Sequence, residues 1–217
     1  MAKYTVYLVR HGQTYFNKYN KMQGWSDSPL TPEGTLVAQT AAKALKDTKF
    51  DAAFSSDARR AIDTLKIITD ENISDLDPKK IPSFREQFYG YYEGMNSSEA
   101  WYMTGMPHGE KTFGDIIKKF GMDKTKDFMK DADPFNDAEN AEEYWERLNE
   151  GFDKLDEIAK DGDTFLIVSH GTTIRSLADR YGDGSFEIKS GPANSSLTML
   201  ERDNGVNKVT SYNQVLK

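Results

Sequence analysis

With 217 residues, 37% of them hydrophobic and 29% charged, the chain is long enough for one ordinary domain with a buried core and too apolar to be globally disordered. A net charge of −7 and no run of Lys and Arg argue against a nucleic-acid partner, and any anion site must gather positive charge locally against the acidic field of the whole. The absence of cysteine excludes disulfides, a thiolate nucleophile and cysteine-ligated metals.

The N-terminal apolar stretch is too short and too interrupted for a signal peptide or a membrane helix. The expectation is a cytoplasmic protein with no membrane contact. Residues 4–9 (YTVYLV) are β-rich and apolar, the pattern of a buried strand. Thr31-Pro32-Glu33 starts a helix, with a hydroxyl cap followed by proline at the first helical position. That helix is predicted to run to about Lys46. Residues 51–55 form a second short strand, and Ser56 is placed as the cap of a helix reaching about Thr69.

Residues 95–137 differ in composition, being rich in Gly, Met, Asp and Lys, with short amphipathic pieces such as 113–120. They read as an insertion of short helices and loops capping one face of a single domain spanning 1–217, because the stretch is too short for a good core of its own. Ala141, Tyr144, Trp145, Leu148, Phe152, Leu155 and Ala159 recur at helical spacing and predict a long amphipathic helix. Residues 164–168 are another buried strand, and Ile174, Leu177, Ala178 and Tyr181 mark the helix after it. Residues 196–201 and 206–212 flank Asp203-Asn204-Gly205, a hairpin signal. Strands alternating with helices predict an α/β fold. We read it as three-layer α/β/α with a mostly parallel sheet, an inserted helical cap and antiparallel pairing at one edge.

Two of the three histidines share one context. His11 lies in Leu8-Val9-Arg10-His11-Gly12 and His170 in Ile167-Val168-Ser169-His170-Gly171. Each follows an apolar strand and precedes a glycine. Sites in open parallel sheets form beyond the carboxyl ends of strands, so the two can converge in one pocket, and Gly12 and Gly171 let backbone approach a ligand. A satisfied structural histidine and a zinc ligand are the alternatives, and Arg10, a fixed cation beside His11, disfavours the metal.

Arg10-His11-Gly12 at the end of the first strand resembles the histidine phosphatase superfamily, also called phosphoglycerate mutase-like. The resemblance continues through Asn17, residues 24–31 (GWSDSPLT), Gly34, residues 56–64 (SDARRAIDT), residues 86–94 (EQFYGYYEG) and Ser169-His170-Gly171. It covers all but the insertion and the C-terminal tail. It implies that His11 is the nucleophile, that Arg10 and Arg60 clamp the phosphoryl group, that His170 donates to its oxygens, and that Glu86 is the general acid and then the general base. It makes Glu93 the structural partner rather than the acid, and Arg59 a solvated helix residue. Asn17 resembles the phosphate-contacting asparagine of the family. Gly12, Gln23, Gly24 and Gly171 complete the expected phosphate and substrate contacts, with no metal and no organic cofactor.

The residue types suit the chemistry. Arginine presents a planar, permanent charge to phosphate, and a histidine nucleophile must be neutral, a state that flanking cations favour. The reading is a metal-independent phosphomonoester hydrolase working through phosphohistidine on a small phosphorylated metabolite. Phosphoglycerate mutase-type transfer is the close alternative, but the longer basic stretch of those mutases, with paired arginines, has no counterpart in residues 95–137. A non-catalytic module that binds phosphorylated ligands is the alternative of another class, and it would not need Glu86. Homo-oligomerisation stays open. His108 reads as a loop residue, Arg147 as half of a structural salt bridge, and residues 139–146 as mostly the solvated face of the long helix. Trp25 packs on the active-site loop or fills a core edge. Trp101, Tyr102, Met103 and Met106 are candidates for an adaptable apolar wall over the substrate.

Overall fold

The computed structural model describes residues 2–217. In chain order its strands are β1 (Lys3–Arg10), β2 (Ala52–Ser55), β3 (Lys79–Lys80), β4 (Thr164–Ser169), β5 (Leu197–Asp203) and β6 (Val206–Gln214). Its helices are α1 (Tyr15–Lys18), α2 (Pro32–Leu45), α3 (Arg59–Glu71), α4 (Ser97–Gly105), α5 (Phe113–Phe120), α6 (Met122–Ala132), α7 (Ala141–Asp156) and α8 (Gly171–Tyr181). Among the described residues the strands make one sheet in the order β3-β2-β4-β1-β5-β6. The first three pairings are parallel and the last two antiparallel, so β5 alone runs against the others. The hairpin turns at Asn204 (φ 49°) and Gly205 (φ 83°), the paired positive φ of a tight turn that matches strand twist.

The central strands β2 and β4 are buried along nearly their whole length, and alternation along β1 and β4 sorts their side chains into two layers. Tyr4, Val6 and Leu8 of β1, with Phe165 and Ile167 of β4, pack under Tyr144, Leu148, Phe152, Leu155, Ile174 and Leu177 of α7 and α8. Val9, Leu166 and Val168 face the other way, onto Ala42, Leu45, Ala61, Leu65 and Ile68 of α2 and α3. These are the three predicted layers. Helices α4, α5 and α6 build a separate small cluster, in which Trp101, Ile116 and Met129 meet Met22, Tyr89 and Tyr92.

The β1–β4 register places the site. Arg10 pairs with Ser169, so His11 and His170 leave adjacent strand ends side by side, and the His11 amide donates to the Ser169 carbonyl at 3.0 Å. Ser56 departs from its predicted role. Helix α3 begins at Arg59 after Ala58, without a side-chain cap. The Ser56 hydroxyl is instead drawn 2.7 Å from His170 Nε2. Among residues 139–146, Glu139 also departs from the solvated reading, since it precedes the helix and is buried.

Candidate active site

His11 is 3% exposed, and its two ring nitrogens have opposite partners. Nδ1 donates to the Gly12 carbonyl at 2.8 Å. Nε2 receives the Nε–H of Arg60 at 3.3 Å. Arginine cannot accept a hydrogen bond and a carbonyl cannot donate one, so this pairing requires a neutral ring with its lone pair on Nε2. Burial, then the charges of Arg60 and Arg10, hold the imidazole well below its ordinary pKa, which agrees with that state.

Arg60 is fully buried, and its guanidinium spans the site. Nη1 donates to the Ser26 carbonyl (2.9 Å) and to Asp27 Oδ1 (3.0 Å). Nη2 donates to the Gly24 carbonyl (2.8 Å) and to His170 Nδ1 (3.0 Å). An obligate donor at Nδ1 places the His170 proton on Nε2, which donates to Ser56. Burial and then Arg60 likewise depress the His170 pKa. One arginine therefore fixes the tautomers of both histidines, whose ring centroids are 5.3 Å apart. Arg59 turns outward and pairs with Asp63 at 2.7 Å.

Glu86 stands at the start of α8, where the first amides of a helix lack intrahelical partners. Its Oε2 accepts from the Thr172 amide (2.7 Å), and Oε1 from the Thr173 amide (3.0 Å), the Thr173 hydroxyl (3.2 Å) and its own neighbour Gln87 (3.0 Å). His170, the residue at the cap position, makes no capping bond, so a carboxylate 84 positions upstream fills that role. Arg147 secures the segment leading to Glu86. It grips Glu139 with two nitrogens (2.6 and 2.8 Å) and donates to the carbonyls of Ser83, Arg85 and Glu86. Trp25 completes the support. Its indole N–H reaches the Glu86 carbonyl at 3.1 Å while its ring stacks on Phe88 and under Arg85. Glu93 is occupied elsewhere, accepting from the amides of Gly24, Trp25, Ser26 and Tyr89. His108 lies flat on Phe128 in the cap.

These residues border a cavity of about 190 Å³. Arg10, His11, Asn17, Gln23, Glu86 and Gly171 all line it, as do Lys21, Trp101, Phe113 and Arg175. Arg60, His170, Gly12 and Gly24 lie behind the wall. The Gly12 amide is taken by Thr64 Oγ1 (3.0 Å) and the Gly24 amide by Glu93 (3.1 Å), so neither is offered to the cavity. The glycines serve close protein packing instead. A Cβ on Gly12 would lie 2.6 Å from the Gly34 carbonyl oxygen, and one on Gly171 would lie 3.2 Å from Arg10 Nε. Asn17 accepts through Oδ1 from the Thr14 amide and from Asn194, which leaves its amide nitrogen for the cavity. Thr14 donates to Gln23 Oε1 at 2.8 Å. Among the described residues no group of three or more His, Cys, Asp or Glu side chains is placed to hold a metal ion.

Several supports escaped the sequence reading. Asp27, which balances Arg60, lay inside a recognised block without a role. Ser56 and the amides of Thr172 and Thr173 act through contacts across more than 80 residues, which no local pattern reveals. Arg175 carried a faint signal, a cation one position from the apolar stripe of its helix.

The chain has relatives among known proteins. The model of the histidine phosphatase superfamily (branch 1) matches residues 6–215. A 2,3-bisphosphoglycerate-dependent phosphoglycerate mutase of Cytophaga hutchinsonii is 31% identical over 170 residues, 78% of this chain and 73% of that protein. The crystal structure of a phosphoglycerate mutase from Bacillus anthracis superposes with a TM-score of 0.90 at 32% identity, covering 99% of this chain and 94% of that one. An α-ribazole-5′-P phosphatase from Escherichia coli, described as putative, shares the fold at 20% identity, with a TM-score of 0.66 over 99% of this chain and 97% of that one.

Proposed function

Because this chain belongs to the histidine phosphatase superfamily, whose members are mutases and phosphatases, we propose that it hydrolyses small phosphomonoesters through a phosphohistidine on His11. The observation that carries this reading is the His11 ring itself. It is neutral, locked by the Gly12 carbonyl, and presents the Nε2 lone pair beside Arg60 at a cavity that Arg10 and Glu86 also line.

In the first step Nε2 attacks phosphorus and the bond to the ester oxygen breaks. Glu86 supplies the proton that the departing alkoxide needs. In the second step water attacks phosphorus, the nitrogen–phosphorus bond breaks, and Glu86 takes the proton from that water. Arg10 and the Asn17 amide receive the phosphoryl oxygens. Arg60 acts from behind, holding the nucleophile and supplying positive potential where charge gathers, and His170 braces its other arm.

Phosphoglycerate mutation is the second reading, and the names of the 31–32% identical relatives favour it. Against it stands the wall formed by residues 97–113. There the cavity meets Ser97, Trp101 and Phe113 rather than a paired cationic site for a second phosphoryl group. Purified protein given 3-phosphoglycerate, with and without 2,3-bisphosphoglycerate, decides between the two. Release of inorganic phosphate supports hydrolysis, and formation of 2-phosphoglycerate without phosphate release supports the mutase.

A further inference from the structure

Lys126 is the one buried lysine among the described residues, and the reaction proposed above makes no use of it. It belongs to α6, in the cap, and its ammonium reaches α8. Nζ donates to Ser176 Oγ at 3.0 Å and to the Met122 carbonyl at 3.5 Å, and it lies 4.7 Å from the centroid of the Tyr144 ring. No carboxylate is hydrogen-bonded to it. Asp123 Oδ1 is 3.7 Å away, but that side chain is half-exposed, screened by water, and already accepts from the Trp145 indole at 2.8 Å. A buried ammonium without a firm counter-ion is costly, and an apolar side chain of the same length would seat the cap without that cost.

The nearest chemistry lies one turn back along α8. Ser176 follows Thr173 by three residues, and Thr173 gives both its amide (3.0 Å) and its hydroxyl (3.2 Å) to Glu86 Oε1. The Tyr144 hydroxyl, buried without a hydrogen-bond partner, lies beside Thr173 and Ser176, and burial keeps it protonated and uncharged. Every donor bonded to the Glu86 carboxylate is neutral. The cations that sense its charge are more distant and include Arg10, Arg175 and Lys126. The two arginines line the cavity, where a phosphoryl dianion draws on Arg10. Lys126 does not border that cavity, so its charge stays with Glu86 whether or not substrate is bound. Burial pushes the Lys126 pKa down to about 8, against the charges of Asp123, Glu86 and Asp179 and together with that of Arg180. The ammonium is therefore the main form at neutral pH.

We propose that Lys126 is a positioning residue for proton transfer: its ammonium, seated on Ser176 behind α8, stabilises the carboxylate form of Glu86. The proposal rests on the phosphomonoester reading, in which Glu86 gives its proton to the leaving alkoxide and then, as a carboxylate, takes one from water. The phosphoryl dianion opposes that carboxylate from the cavity side, and a cation on the other side of α8 offsets it. The cap thereby acts on the chemistry through a residue that never touches the substrate.

Two measurements test this. The first needs no turnover. In protein carrying isotope-labelled lysine, the Lys126 Cε resonance is identified by its loss in Lys126→Arg and is titrated by NMR in the wild type and in Glu86→Gln. Glu86→Gln keeps an acceptor for the α8 amides but removes the charge, so the Lys126 midpoint is expected to fall by about half a pH unit or more. An unchanged midpoint overturns the proposal. The second is the pH profile of kcat/KM on an alkyl phosphate. Coupling between two sites is reciprocal, so Lys126→Met is expected to move the basic limb to higher pH by about the same amount, and Lys126→Arg to keep it near the wild-type position. A lower plateau with the limb in place would mean that Lys126 only seats the cap, and would also overturn the proposal. If thermal melting shows that Lys126→Met does not fold, the Lys126 midpoint decides alone. An enzyme that releases phosphate from no ester refutes the hydrolase reading, while the midpoint still judges whether Lys126 and Glu86 are coupled.

Discussion

His11 Nε2 and Arg60 Nε are 3.3 Å apart, longer than the usual 2.9–3.0 Å for such a bond, and this weak contact occupies the lone pair that must attack phosphorus. Its partners on either side are firmer, at 2.8 Å from His11 to Gly12 and 3.0 Å from Arg60 to Asp27. The ring and the guanidinium are each held by protein, and the bond between them is the one that yields.

The pH dependence follows from that pair. Neutral His11 is the attacking form, and burial, Arg60 and Arg10 all lower its pKa. Activity should therefore persist as pH falls through the ordinary histidine range and fail only at lower pH, when the ring gains a proton. Arg60→Met removes the largest of the charge effects. The acid limb of kcat/KM should move upward, toward the ordinary histidine value, and kcat/KM should fall by about 10²–10³. A pH profile of kcat/KM on an aryl phosphate checks both. An acid limb that stays in place would mean that His11 does not sense Arg60.

His11→Ala should remove the covalent route and nearly abolish turnover. His170→Ala keeps the nucleophile but releases one arm of Arg60, so turnover should drop by about 10² and remain measurable. A brief reaction with radiolabelled ester, quenched in alkali, should label wild-type protein and not the His11 variant. An acid-stable label would place the phosphoryl group on another residue.

Glu86→Gln should slow alkyl phosphates far more than activated aryl phosphates, since a good leaving group needs no proton in the transition state. The capping contacts add a second expectation. The Gln carbonyl still accepts from the amides at the start of α8, while Glu86→Ala leaves them without their side-chain acceptor. Glu86→Ala should therefore lose about 1 kcal/mol more stability than Glu86→Gln, measured by urea denaturation. Equal slowing of both ester classes would make Glu86 structural.

How much of this was legible beforehand depends on the range of each interaction. The layers came from alternation along β1 and β4 and from the α7 stripe, which are local signals. His11 and His170 share a sequence context because they share a position in the sheet, so a pattern found the pair. The same pattern misassigned Ser56, whose hydroxyl meets the general rule for a helix cap but has a partner 114 residues away. It also gave Gly12 and Gly24 to the ligand. A glycine marks close approach without saying what approaches, and here neighbouring backbone and side chains do. Arg175 showed only as a cation one position from the apolar stripe of α8, because its place in the cavity wall exists only once the fold is known.

Away from the site, Asp156 shows the acid sensitivity of the fold. Its carboxylate binds Arg202 through two oxygens, with the shortest contact at 2.6 Å, and accepts from Tyr4 at 2.9 Å. The Arg202 hydrogen bond, working against burial, holds its pKa below the usual value. A depressed carboxylate stabilises above its unfolded pKa and loses that stabilisation as pH falls through the folded one. Asp156→Asn should cost about 3 kcal/mol at pH 7. The gap to wild type should close as pH drops below the ordinary carboxylate range, which denaturation at a series of pH values will show.

The cap residues separate into two groups by helix face. On α4, Ser97 and Trp101 are four apart and line the cavity, and Trp101 stacks on Phe113 of α5 with centroids 4.2 Å apart. Tyr102 and Met103 follow on the opposite face and Met106 lies just beyond the helix, all three more than 40% exposed and absent from the wall. The expected apolar wall is therefore aromatic, and the methionines are no part of it. Residues at the phosphoryl end act on a group common to every phosphomonoester, so discrimination between alcohols needs contacts at the other end. Trp101→Ala and Phe113→Ala should change the ratio of kcat/KM between two esters of different alcohols by about fivefold or more, with a smaller change on a minimal aryl phosphate. Tyr102→Ala, Met103→Ala and Met106→Ala should leave that ratio where it was. Were all five variants to lower every substrate in parallel, the cap would be a plain cover, and the contacts that choose the alcohol would have to lie with Lys21, Met22 and Gln23 on the facing loop.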